Sequence, residues 1–497
     1  MSGLKRLTSA AVVFVASVLL GNTASASPSI TLSKKSGPPT SGILVSGRGF
    51  EPNVGVDVYF DTKDEVLVIT NAKGEFDQAK INAPRSARPG KHWVTALERN
   101  NDKGAQEPFL VQTDWTEFDG PTGTRWNPYE NVLGTNTVGA LILKWRYTSG
   151  NQVFSSPAVV DGVLYVGSDD GNFYALNART GSRLWIYSTG RYIDSSPAVA
   201  DGKVYFGCYD GNVYALNART GAKVWSYTTG GEVNSSPAFA NGVVYVGSSD
   251  DNVYALNART GAKLWSYKTG NHVYSSPAVE NGVVYVGSWD FNFYALNAST
   301  GAELWRYATG TFVVSSPIIA NGLVYLSSDS YLYALDASTG ATVWSYTPGG
   351  NLGLALSSIA VADGVLYIGG LNDYDLFALD AHTGVLLWDS PTNASLPSAP
   401  VVANGVVYVG SDDVTQGDNL YAFDARTGAR LWSYVTGIVF SSCAVANGVV
   451  YVGSEDQNIY AFGLSDSSQT TQLPAQRPDL KTLQLDFSLK VSRFTVP

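Results

Sequence analysis

Between residues 141 and 463 the apolar and polar positions repeat with a period of about forty residues. One unit, residues 235 to 270, reads SSPAFANGVVYVGSSDDNVYALNARTGAKLWSYKTG. Short apolar, β-branched and aromatic runs (PAFA, VVYVG, NVYAL, KLWSY) alternate with turn residues, which predicts four antiparallel strands, A to D. A and B are joined by Asn-Gly or Asp-Gly in every unit, from Asp161-Gly162 to Asn447-Gly448. Both central residues of a type I′ hairpin turn need positive φ, and this dipeptide supplies it at little strain. C and D are joined by Thr-Gly, as at Thr260-Gly261, where glycine permits the reversal.

The motif SSP opens units at Ser155, Ser195, Ser235, Ser275 and Ser315, with degenerate forms at Ser357 (SSI), Ser398 (SAP) and Ser441 (SSC), eight in all. A four-stranded sheet of this size cannot bury both faces alone, whereas sheets packed radially around an axis can. The fold class expected is therefore all-β, an eight-bladed β-propeller over 141–463. The last unit runs out without a D strand, and Trp145 sits in an orphan strand, LILKWRYTSG (141–150), ahead of the first SSP. N- and C-terminal strand closure is expected: this strand completes the blade begun at Ser441 and removes the edge an open ring would leave. The repeat tryptophans, Trp145, Trp185, Trp225, Trp265, Trp305, Trp344, Trp388 and Trp432, are expected to dock structurally between neighbouring sheets, since eight near-equivalent copies suit eight packing sites and not one ligand box.

Residues 29–114 break this rhythm. Alternating stretches at Val54 to Phe60, Glu65 to Thr70, Lys91 to Glu98 and Pro108 to Thr113 predict a small separate β-sandwich, expected to be Ig-like. Residues 115–140, with Gly, Pro, Asn and Thr and little period, read as a linker. Residues 464–497 read as a polar tether followed by a last strand, in which Leu483, Leu485, Phe487, Leu489 and Val491 alternate.

Composition adds a location. Residues 1–26 hold Lys5, Arg6, an apolar run and Ala24-Ser25-Ala26, the pattern of a cleaved signal peptide. No cysteine follows the run to carry a lipid. The expectation is a secreted or periplasmic protein, soluble after cleavage, without a membrane span and monomeric. Formal net charge is −10, which disfavours nucleic acid as a partner. Cys208 and Cys443 are the two cysteines, placed two blades apart and expected as free thiols, and His92, His272 and His382 show no metal-site spacing.

Strand order assigns sides: the A–B and C–D turns share one rim, the bottom, and the B–C and D–A links share the other, the top. The bottom turns barely change between units, and the top links change freely. Variation confined to one rim is how a symmetric frame builds a single asymmetric site. The binding candidates are Arg191, Tyr192, Asp194, Tyr209, Glu232, Asn234, His272, Tyr274, Trp289 and Phe312, with a protein, peptide or glycan as the partner. Phe291 is a further large apolar group on this rim. Asp170, Asp210, Asp250, Asp290 and Asp456 recur in the B–C links; a rim of carboxylates suggests Ca²⁺, but an Asp at equivalent turns is expected to accept bonds within its own turn.

The unit A-L-[ND]-A-x-T-G-x-x-x-W, at Ala175 to Trp185, Ala215 to Trp225, Ala255 to Trp265 and Ala295 to Trp305, resembles the tryptophan-docking repeat of the pyrroloquinoline quinone (PQQ) propeller superfamily. The resemblance implies eight blades. It implies one of two functions: a quinoprotein dehydrogenase of alcohols or sugars using PQQ and calcium, or a non-enzymatic scaffold similar to BamB, which serves outer-membrane protein assembly. The adjacent cysteine pair common beside the quinone is absent here, and no family motif places a catalytic or metal-binding residue, although Trp289 could stack on a planar ring and Asp194 or Glu232 act as base. The reading is a secreted, non-enzymatic binding or scaffold propeller with no catalytic residue, metal or cofactor assigned.

Overall fold

The computed structural model describes residues 27–465 except 102, 329–330, 348–357, 372–373, 393 and 413–418. The expected signal peptide, the C-terminal strand and parts of five top links lie outside the described residues.

Eight sheets carry the A-B-C-D order, beginning with Ala158–Val160, Val163–Gly167, Asn172–Asn177 and Arg183–Ser188. The A strands of successive blades touch in sequence and the first touches the eighth, so the ring is closed. In the eighth blade the outer strand is Ile142–Thr148, paired antiparallel with Asn458–Gly463. Terminal strands from opposite ends of the propeller thus share one sheet.

Each position of ALNARTGAKLW has a physical task. Leu256 is buried between blades. The Asn257 side chain accepts from the backbone N–H of Arg259 (3.1 Å) and Thr260 (3.0 Å), folding the C–D turn. The Ala258 carbonyl then faces the preceding blade, where it accepts from Trp225 Nε1 (3.0 Å) and the Tyr205 hydroxyl (3.1 Å). Gly261 has φ +73°, and a Cβ there would come within 2.7 Å of the Trp225 indole, so glycine is required both by conformation and by the docked ring. The same indole-to-carbonyl bond recurs from Trp145 to Ala178 and from Trp388 to Ala425. At the closure Trp432 donates to the Leu141 carbonyl (3.3 Å) because the outer strand there comes from the other end of the chain.

The SSP motif has a role that periodicity alone did not assign. Ser155 Oγ donates to the Ser195 carbonyl (3.1 Å), Ser195 to Ser235 (3.0 Å), Ser235 to Ser275 (3.2 Å) and Ser275 to Ser315 (3.0 Å), while Ser441 donates back to Ser155 (3.2 Å). The second serine accepts from the backbone N–H of its neighbour's counterpart, as Ser196 Oγ does from Ser156 (2.9 Å). These bonds form a buried girdle around the axis.

Residues 29–114 form two sheets. One has three strands, Ser29–Leu32, Gly42–Arg48 and Phe76–Asn82; the other has five, including Gly55–Phe60, Lys63–Ile69, Gly90–Glu98 and Gly104–Val111. Ile43, Val45, Val58, Val94 and Phe109 fill the shared core.

The linker expectation for 115–140 is corrected. Trp115 exchanges backbone bonds with Val159 (2.7 Å each), and Thr116 accepts from Val199 N (2.8 Å). On the far side, Thr124 accepts from Val361 N (3.0 Å), Arg125 from Val402 N (2.9 Å), and Asn127 Nδ2 donates to Val445 (2.8 Å). These partners occupy one equivalent position in five A strands, so the segment runs around the axial opening and pairs with inner strand edges that would otherwise face the channel. Backbone pairing and the burial of scattered side chains, Trp115, Arg125, Asn127, Leu133 and Val138, hold it together, and with no period its sequence resembles a loop.

Candidate functional site

The two rims differ in what covers them. At the bottom, Asn241 has φ +51° and Gly242 φ +78°, the type I′ geometry that the dipeptide dictates. Three of these turns are met by the chain's own N-terminal part. Thr113 N donates to Asn447 Oδ1 (2.8 Å), Asn404 Nδ2 donates to Leu133 O (2.9 Å), and Gln112 Nε2 donates to Asp161 Oδ1 (2.8 Å). The belt carries charge inward: Arg125, fully buried, lies 2.6 Å from Asp119 through Nη2 and also donates to the Ile359 carbonyl. Burial and the neighbouring Asp119 push the Glu117 carboxyl up to about 8.

At the top, the recurring Asp carboxylates are consumed within their own turns. Asp250 accepts from Tyr254 (2.6 Å), Gly230 N (2.6 Å) and Asn252 N (3.1 Å), and Asp170, Asp290 and Asp456 make the same three kinds of bond. They are turn architecture. The residue one position earlier is Asp169, Tyr209, Ser249 and Trp289 in the first four blades, and its variation against a constant neighbour is the signal that could have singled out Asp169.

The ten rim candidates separate into two groups. Arg191, Tyr192, Tyr209 and Glu232 line one cavity together with Asp169 and Asp170. Tyr209 donates to Asp194 Oδ2 (2.8 Å), and its ring meets that of Tyr192 at 5.8 Å. Asp169, 9% exposed, lies against Asp194, and Oδ1 of each is buried without a donor. Burial, then the Asp194 carboxyl beside it, pushes Asp169 up to about 8.

The second group is aromatic. Trp289 meets Tyr274 edge-on at 4.9 Å and Phe312 at 5.0 Å, Phe312 meets Phe291 at 5.0 Å, and His272 lies 6.0 Å from Trp289. His272 Nδ1 is 3.2 Å from Asp251 Oδ1. Trp289 Nε1 has no acceptor and Asn234 Oδ1 no donor, though both atoms are shielded from solvent. Phe291 is 44% exposed and Phe312 38%. Phe291 also has φ +70°, where blades one and two place Gly171 and Gly211. For a bulky side chain the left-handed region costs roughly 1 to 2 kcal/mol.

The lining of this top cavity does not complement PQQ. PQQ is a planar polyanion, and the top cavity offers carboxylates at Asp169, Asp170 and Glu232 against the single cation Arg191. Among the described residues no three His, Cys, Asp or Glu side chains converge as metal ligands. Cys208 and Cys443 are free, buried in separate blades, and burial pushes each thiol up to about 12, so neither offers a thiolate beside a ring.

Comparison with known proteins bears on the propeller. The family described as outer membrane protein assembly factor BamB matches residues 142–192, 190–277, 269–369 and 328–484. BamB of Moraxella catarrhalis is similar in structure, with 20% identity, a TM-score of 0.56, 65% of this chain covered and 100% of that one. Quinohemoprotein alcohol dehydrogenase ADHIIG of Pseudomonas putida HK5 is similar at 18% identity and a TM-score of 0.60, covering 74% of this chain and 82% of its own. A europium-containing methanol dehydrogenase is similar at 15% identity and 0.62, covering 71% and 98%. At such identities the likeness concerns the fold. No curated protein sequence matches. Among the described residues no helix is long and apolar enough to cross a membrane.

Proposed function

This chain belongs to the family described as outer membrane protein assembly factor BamB, and from that membership we propose that it is a secreted, non-enzymatic binding propeller whose top rim holds a segment of a protein partner. The observation that carries this reading is Phe291. A phenylalanine kept 44% exposed at φ +70°, at a turn position that blades one and two fill with glycine and blades three and eight with the polar Asp251 and Gln457, costs stability where an exposed ring serves no core. Its contact with Phe312, and theirs with Trp289 and Tyr274, makes an aromatic patch of the kind that anchors a partner's apolar side chain.

The test is panning of a random dodecapeptide display library on the purified mature protein and on Phe291→Gly. Wild type is expected to enrich sequences with an apolar anchor. Phe291→Gly is expected to lose them at least tenfold while unfolding about 1 kcal/mol later. Equal enrichment by both proteins, or enrichment on a glycan array in place of peptides, sinks the proposal. Addition of PQQ with Ca²⁺ is expected to leave the melting temperature unchanged, since only a ligand of the native state raises it; a calcium-dependent rise transfers the rim to the dehydrogenase reading.

A further inference from the structure

We propose that the cavity between the first and second blades is a receptor for a single organic cation, the ammonium or guanidinium head of a lysine or arginine side chain, held by the Asp169–Asp194 carboxyl pair with Tyr192 and Tyr209 as aromatic walls. The inference rests on the rim being a binding face and names the chemistry of one of its two pockets.

Two carboxyls in contact are an arrangement that a fold does not adopt for stability. The two side chains lie within hydrogen-bond reach of each other, and the Oδ1 atom of each is buried and finds no donor. Asp194 receives one hydrogen bond, from Tyr209, on its other oxygen. Asp169 is nine-tenths buried, and none of the turn bonds that occupy Asp170 reach its carboxyl. Burial, then the Asp194 carboxyl beside it, keeps Asp169 protonated at neutral pH by raising it to about 8. A donor-rich cation is the complement: it supplies hydrogen bonds to the orphan oxygens and releases the proton that Asp169 holds.

The other charged groups set the sign of the cavity. Asp169, Asp170 and Glu232 line it with one cation, Arg191, while Asp194 and Glu455 add negative charge next to Asp169. Arg191 makes no ion pair among the described residues and its side chain is exposed at the mouth. The cavity has a volume of about 500 Å³, enough for a long side chain to enter. The Tyr192 and Tyr209 rings stand 5.8 Å apart at 64°, and an organic cation gains from such faces where a compact hydrated metal ion does not.

The experiment is calorimetric titration of the full mature chain with Nα-acetyl-lysine amide, with its Nε-acetylated form and with cadaverine, at pH 7 in two buffers of different ionisation enthalpy. Binding of the lysine amide with release of about one proton, at least tenfold weaker for the Nε-acetyl form and for Asp169→Asn/Asp194→Asn, supports the proposal. Equal affinity for cadaverine assigns the pocket to free amines rather than a peptide side chain. No heat with either amine, unchanged affinity in the double variant, or binding of Ca²⁺ in place of amines overturns it. This probe needs no selected peptide, so failure of panning with success here removes the peptide reading and keeps the cation site, and the reverse result does the opposite. The double variant removes two carboxyls and adds no bulk. Its melting temperature, equal to or above that of wild type at pH 8, shows that lost binding is not lost folding.

Discussion

The bottom and top rims are made of the same repeated turns, yet they have opposite sequence histories within one molecule. At the bottom, Asn-Gly or Asp-Gly recurs in every blade, and turns at Asp161, Asn404 and Asn447 bond to the chain's own residues 112–133. At the top, a constant Asp in five B–C links fixes the turn, and the residue before it changes from Asp169 to Tyr209 to Ser249 to Trp289. Constancy therefore marks positions whose side chains serve the backbone. Variation marks those facing the axis and solvent, where orphan polar atoms and a strained aromatic accumulate.

The widest separation between the rims is expected from tryptophan. Trp225→Ala empties a buried docking site and leaves the Ala258 carbonyl with one donor fewer, and is expected to cost about 3 to 5 kcal/mol in denaturant unfolding. Trp289→Ala, on the top rim, is expected to cost under about 1 kcal/mol while abolishing peptide enrichment. A normal melt for Trp225→Ala would overturn the docking account.

The belt beneath the axis gives a pH-dependent contrast. Glu117 has its folded value raised to about 8 by burial, against the ordinary 4.5. Its contribution is full below about 4.5, where folded and unfolded states are both protonated, and is lost progressively as pH rises to about 8. Asp169 on the top rim and Asp114 beside the belt are shifted in the same direction, to about 8 and about 6. Wild-type stability from these groups is therefore expected to fall between pH 5 and 8. Glu117→Gln is expected to flatten part of that slope and Asp169→Asn another part, read as melting temperature against pH. Superimposable profiles for wild type and Glu117→Gln would show that Glu117 does not hold its proton.

An effect smaller than that of Trp225→Ala is expected in the girdle. Ser235→Ala removes one bond to Ser275 and one from Gly247 N (3.0 Å), and is expected to cost about 1 to 3 kcal/mol, at the lower end if water enters. The same change at Ser398, where the repeat reads SAP and the serine bonds only within its own blade to Gly410, is expected to cost less. Equal losses at the two sites would mean that the bonds between blades add nothing.

The architecture was legible because repetition gives each local signal eight readings. Asn-Gly fixed the A–B hairpins, the missing Thr-Gly turn located the closure, and the spacing of Trp145 from the first SSP identified the strand that crosses to the last blade. The rim candidates were read from the sequence as the places where copies disagree, and the structure gathers them into an acidic and an aromatic group. What the sequence did not carry was contact between non-equivalent positions. Asp169 meets Asp194 across two blades, and nothing in either repeat states that distance. The belt of residues 115–127 is held by backbone bonds to four A strands, by the Asn127 side chain to a fifth and by scattered buried side chains, so it has neither period nor apolar stripe to betray it. Periodic burial is a local property and was determined by the sequence alone; pairing of orphan groups around a closed ring exists only after closure, and the tertiary structure decided it.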